Sequence, residues 1–165
     1  MYLSITNFKN DWAYEYEATF KQLSALTNAS LTVPMPANVR SIATLAWHIV
    51  HSISEMINHT ELQINAVPQE AIIGLTVTDL VTEYKKTNQE FVAIIGAWEY
   101  NQLTVKTPMY GEEWTKGKVL QIIMQHQIHH RAQLGILMRI AGLQVPGVYG
   151  PSKEEWAAKG MEAMK

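Results

Sequence analysis

Apolar residues recur at a spacing of three and four along four stretches of this chain, and the segments between them lose that period. Phe8, Trp12, Tyr16, Phe20 and Leu23 share one side of a helix predicted over residues 4–27, with Lys9, Asp11, Glu17 and Lys21 mostly elsewhere. An aromatic stripe of this kind reads as core. The run from Thr27 to Arg40 carries Pro34 and Pro36, breaks the pattern and reads as a loop. Asn38 or Ser41 can cap a second helix that reaches about Glu61, with Ile42, Leu45, Ala46, Ile49, Ile53, Met56 and Ile57 as its core face. Residues 65–77, with Pro68 and Gly74, are irregular. A third helix is expected from an N-cap at Thr78 to about Ala97, with Leu80, Val81, Tyr84, Asn88, Phe91 and Ile95 as its stripe. Lys85, Lys86 and Glu90 form its solvated face.

From Tyr100 to Lys118 the helical period fails again. Leu103 and Val105 alternate while Pro108 and Gly111 punctuate, so a short hairpin or extended loop is predicted. Thr115 then helps to start the last long helix, and Ser152 with Glu155 three residues on marks a short C-terminal helix. Four substantial helices with loops between them predict an all-α four-helix bundle, a single domain over residues 1–165.

Composition narrows the chemistry. The chain has 165 residues, 17% charged and 47% hydrophobic, which excludes a disordered polymer and suffices for one buried core. A formal net charge of -2 with no basic run argues against a nucleic-acid partner. The opening MYLSITNFKNDW lacks the marks of a signal peptide, and no apolar run approaches the ~20 residues that span a bilayer. A cytoplasmic protein without a membrane partner is therefore expected. There is no cysteine, which removes disulfides, thiolate ligands and a cysteine nucleophile together. Any metal must be held by nitrogen and oxygen.

Those donors are concentrated in QIIMQHQIHHRAQLGILMR, residues 121–139. At about 100° per residue, Val119, Ile123, Leu134, Leu137 and Ala141 fall on one side, with His126 and His130 in the middle of it. Gln133 lies beside the pair, His129 toward the flank, and Arg131 points well away. Two imidazoles at i and i+4 are neighbours and can grip one ion. The plainer alternative is a pair of hydrogen-bonded core histidines. On the second helix His48, Ser52, Glu55 and His59 run along one shoulder of the core face, while His51 points nearly opposite. His48 can look obliquely into a bundle interior and is the natural third ligand; His51 and His59 read as surface histidines.

Other site classes fail by spelling. The residues three before each histidine are Leu45, His48, Met56, Ile123, His126 and Gln127, so the Glu-x-x-His of di-iron bundles is absent. Gln127 follows His126 where a zincin needs glutamate. GEEWTKGK, residues 111–118, has five residues between its glycines where a P-loop has four, and Val119 follows the lysine. What remains is a mononuclear three-histidine site with an open position, suited to zinc or nickel. Gln133 could orient a ligand or a bound water, and Glu55 is the candidate nearby carboxylate.

The chain resembles the DinB/YfiT-like superfamily of metal-dependent proteins. The likeness spans nearly the whole chain and rests on SIATLAWHIVHS in the second helix, YGEEWTKGKVLQ and HQIHHRAQ at and within the last long helix, and AGLQVPGVYGPSKEEW after it. The resemblance implies a four-helix bundle with three metal-binding histidines, matched here by His48 and by His126 and His130 of an H-x-x-x-H-R pattern. The family often has glycine after that arginine where this chain has Ala132, a position that points off the core. Characterised relatives include transferases and isomerases that use bacillithiol, mycothiol or glutathione. The resemblance thus implies a thiol S-transferase acting on a small molecule, with a low-molecular-weight thiol as cosubstrate, or else a hydrolase. A homodimer is expected from the family and from the aromatic first helix. The competing reading is a non-catalytic, stress-related bundle that binds a metal or a partner, with a closed site or no pocket reaching the metal.

Overall fold

The computed structural model describes residues 1–72 and 74–162. Helix α1 (Ile5–Ser24) is followed by the single turn α2 (Asn28–Leu31), then α3 (Ile42–Ile57) and α4 (Val77–Ile94), which tightens into a 3-10 turn at Ile95–Ala97. The short α5 (Tyr100–Leu103) leads into the strands β1 (Lys106–Met109) and β2 (Glu112–Thr115), after which come α6 (Lys116–Ile140) and α7 (Lys153–Ala158). The four long helices close a ring in the order α1–α4–α3–α6, with α1 and α3 on the diagonal. This is the predicted four-helix bundle. Among the described residues no helix is long and apolar enough to cross a membrane.

The caps account for most of the boundaries. Ser41 accepts from the Thr44 N–H at 3.1 Å and starts α3, whereas Asn38, the other candidate, lies in the loop before it with φ +67°. The third helix begins two residues before the expected Thr78. Thr76 is the cap, accepting from the Asp79 N–H at 3.1 Å while the Asp79 carboxylate accepts from the Thr76 N–H at 3.2 Å. That reciprocal pair satisfies two free helix-end donors, which Thr78 in the first turn could not do. Helix α3 stops at Ile57 rather than near Glu61, because Asn58 turns its amide to both main-chain groups of Ile64 and Thr60 donates to the Ile57 carbonyl. Helix α1 likewise ends at Ser24, short of residue 27.

The predicted hairpin is present, with Lys106 opposite Thr115 and Met109 opposite Glu112. Its two-residue loop, Tyr110 (φ +52°) and Gly111 (φ +83°), has both residues left-handed, as the twist of such a hairpin demands. Leu103 and Val105, expected to alternate along an extended segment, instead lie in and just after α5. Thr115 caps α6 through the Lys118 N–H, and Ser152 with Glu155 forms the expected capping box of α7. At the far end of α6, Gly142 (φ +77°) lets the Leu143 N–H reach the Met138 carbonyl at 2.9 Å.

Of the aromatic stripe predicted as core on α1, Phe8, Trp12 and Leu23 are buried, while Tyr16 and Phe20 are half-buried against that core. Phe8 and Trp12 are buried and pack edge-on against Phe91 of α4 at 5.9 and 5.0 Å. The Trp12 indole donates to Asn88 at 2.8 Å, so the polar member of the α4 stripe is satisfied. Helix α6 touches both α1 and α3, and consequently buries two faces. One carries Leu134, Leu137 and His130; the other carries Arg131, whose guanidinium lies 2.7 Å from the buried carboxylate of Glu15 and 2.8 Å from the Tyr149 hydroxyl. Pointing away from the histidine stripe therefore means pointing into α1, not into water.

Candidate metal centre

The long register of α6 places His126 and His130 one above the other, and the α3–α6 contact carries them to His48. Ring centres are 4.3 Å apart for His126 and His130, 4.6 Å for His48 and His130, and 5.0 Å for His48 and His126. One ring nitrogen from each residue can be chosen so that all three lie within 4.8 Å of one another. Among the described residues this is the one group of three or more metal-capable side chains so gathered.

The hydrogen bonds say which nitrogens are available. The Gln133 carbonyl oxygen accepts from Nδ1 of His130 at 2.8 Å, so the proton of that ring sits on Nδ1 and its Nε2 carries a lone pair. The Gln133 amide is held in that orientation by donating to Nε2 of His129 at 3.0 Å. Nε2 of His126 lies 3.2 Å from Nε2 of His130. Two nitrogens bound at about 2.0–2.1 Å to a tetrahedral zinc would be about 3.3 Å apart. The same spacing suits a proton on His126 Nε2 shared with His130; Nδ1 of His126 is buried without a partner in either case, as an acceptor beside that proton or as an N–H beside an ion. A cation between the two lone pairs meets the donor set equally well, so the residues fit an ion.

All three rings are neutral near pH 7. Burial above all, then the positive fields of His130 and Arg40, pushes His48 down to about 4, against a raising contact from Gln69. Burial and the neighbouring imidazoles push His126 down to about 3. His130 is also lowered by burial, opposed by its bond to Gln133. Neutral imidazole is the form that ligates.

Gln127 braces the centre. It is buried and donates from its amide nitrogen to the Ile49 carbonyl at 2.7 Å, tying the residue after His126 to the residue after His48. Its position on the core face was readable from the spacing, but its partner was not. The amide that stands where a zincin has its base is thus committed to the main chain.

The remaining candidates lie elsewhere. Glu55 is two turns beyond His48; its carboxylate accepts from the Tyr110 hydroxyl at 2.6 Å and lies 3.2 Å from His59. It anchors the hairpin on α3 and is not brought to the three histidines. His59 is exposed, as expected. His51 is not a solvent-facing residue: it is half-buried, with Nδ1 against the Val67 carbonyl, because the loop after α3 folds back over it. A cleft of about 580 Å³ opens on the other side, reaching His130 and Gln133 between Val39, Arg40, Leu45 and Leu137.

Comparison with known proteins agrees with this architecture. A crystal structure of a DinB-like protein from Bacillus cereus ATCC 10987 superposes with a TM-score of 0.85 at 33% sequence identity, covering 90% of this chain and 100% of that one. A DinB-like protein of Bacillus subtilis, YjoA, shares the fold with a TM-score of 0.68 at 20% identity over 86% of this chain and 96% of its own. The uncharacterized protein YrdA of Bacillus subtilis (strain 168) is 34% identical over 166 residues, covering 100% of this chain and 99% of its own length. The family model described as "DinB family" matches residues 1–163, and the chain belongs to that family.

Proposed function

We propose that this chain is a metal-dependent enzyme whose centre is held by His48, His126 and His130, and that it transfers a low-molecular-weight thiol to a small electrophile. Hydrolysis is the next reaction type. The observation that carries the reading is the convergence of three neutral imidazoles beside an open cleft. A divalent ion there, zinc or nickel, would supply Lewis acidity toward the thiol or water that becomes the nucleophile.

The protein's own groups would do the rest. Gln133 fixes the tautomer of His130, and Gln127 keeps α3 and α6 in register at the level of the rings. Val39, Leu45 and Leu137 offer an apolar wall to the electrophile. With no cysteine in the chain, a sulfur nucleophile has to arrive with the cosubstrate. A cleft that reaches His130, and no fourth histidine or carboxylate in the cluster among the described residues, favour catalysis over a closed, purely metal-storing site.

The test is metal content by mass spectrometry on untagged protein, wild type beside His48→Ala. About one zinc or nickel per chain is expected in the wild type and little in the variant. A wild type that takes up no metal on reconstitution would overturn the reading. The loaded protein is then offered a thiol and an alkylating electrophile, with loss of free thiol as the readout.

A further inference from the structure

Of the three arginines, Arg131 is paired with Glu15 and Arg139 with Glu154, while Arg40 has no carboxylate partner among the described residues. It is exposed and stands immediately before Ser41, the residue that caps the histidine-bearing α3. Arg40 lines the same cleft as His130 and Gln133, and among the described residues no lysine, second arginine or carboxylate lines that cleft. A fixed cation at that place opposes the binding of a divalent ion. Among the described residues the Arg40 side chain makes no hydrogen bond and no ion pair, so it is available to a ligand in that cleft.

We propose that Arg40 is the anion-binding residue of this centre, pairing with the carboxylate of a small organic acid whose hydrocarbon part lies on Val39, Leu45 and Leu137 and whose reacting group faces His130. The proposal rests on the metal-enzyme reading above and adds the substrate class. A lone guanidinium offers two parallel N–H donors, which match the two oxygens of a carboxylate. The apolar residues on either side select for a carbon chain rather than a bare inorganic anion.

The experiment uses cobalt(II)-loaded protein and two thiols of similar size, 3-mercaptopropionate and 1-propanethiol, with the sulfur-to-cobalt absorption band reporting binding. Wild type should bind the carboxylate-bearing thiol at least about tenfold more tightly. Arg40→Ala should bring the two affinities within about twofold, by weakening the acid alone, and should leave cobalt stoichiometry unchanged. Because Arg40 is exposed, the variant should keep the wild-type fold, checked by circular dichroism. Equal affinities in the wild type overturn the assignment. So does a preference that survives Arg40→Ala, since the carboxylate would then be binding cobalt or another group. Failure of the wild type to take up cobalt overturns the metal reading itself, and is seen before any thiol is added.

Discussion

Gln133 illustrates how much of this centre depends on groups that would not touch an ion. Its carbonyl decides which nitrogen of His130 is bare, and its amide leans on His129. Gln133→Leu should therefore keep the fold and lower metal affinity by about 10–100-fold, the usual effect of losing a residue that orients a ligand. Titration against a chromophoric chelator would show it; unchanged affinity would mean that packing alone orients the ring. The histidines also make the metal-free protein sensitive to acid. Their folded values lie below the ordinary 6.5, with His48 at about 4 and His126 at about 3. Between those limits the unfolded chain takes up protons and the folded one does not. Their effect on stability is thus harmless above pH 6.5, and stability falls as the pH drops from there toward 4. Denaturant melts of metal-free protein across that window should show the fall, and His126→Gln should make it shallower.

At the scale of elements, the α3–α6 contact is where fold and site meet. Gln127→Met would remove one of the donors to the buried Ile49 carbonyl, which keeps the Ser52 hydroxyl, a loss of about 0.5–1.5 kcal/mol. Because the same bond sets the level of His126 against His48, metal affinity should fall with it. A variant that loses stability but binds metal normally would show that the bond serves the fold alone. The hairpin is an independent element, pinned to α3 by Tyr110 and Glu55. Its attachment explains why the candidate carboxylate is not at the histidines. Glu55→Gln should leave metal stoichiometry at the wild-type value, measured by the same mass spectrometry.

For the molecule as a whole, the histidine seam is only one of two polar seams along α6. On the other, Arg131 and Glu15 form a buried ion pair that also receives Tyr149 from the segment before α7. The Glu15 oxygen at 2.7 Å has no well-aligned N–H, so this contact is an ion pair, supported by Arg131 hydrogen bonds to the Glu15 carbonyl and the Thr19 hydroxyl. Arg131→Met should cost about 3–5 kcal/mol in a denaturant melt, because it strands a buried carboxylate. The double variant Glu15→Leu/Arg131→Met should recover much of that loss. An additive double variant would show that the two residues act separately.

The amino-acid sequence determined the four long helices, the hairpin, the capping box of α7 and the core-facing placement of His48, His126 and His130. Each follows from short-range geometry: an apolar period, a cap three residues from its acceptor, two rings one turn apart on a core-facing stripe. Resemblance to the family pointed to the same histidines. Tertiary structure alone decided what lies across from each face. With α1 and α3 on the diagonal, α6 has a buried neighbour on two sides, which is why Arg131 is sealed against Glu15 and not hydrated. The loop after α3 covers His51, and the hairpin tip claims Glu55. Arg40 sits in a loop with no period to orient it, and only the folded chain brings it to the cleft of His130. Helical periodicity fixes where a side chain points on its own helix; it carries no information about which other segment meets it there.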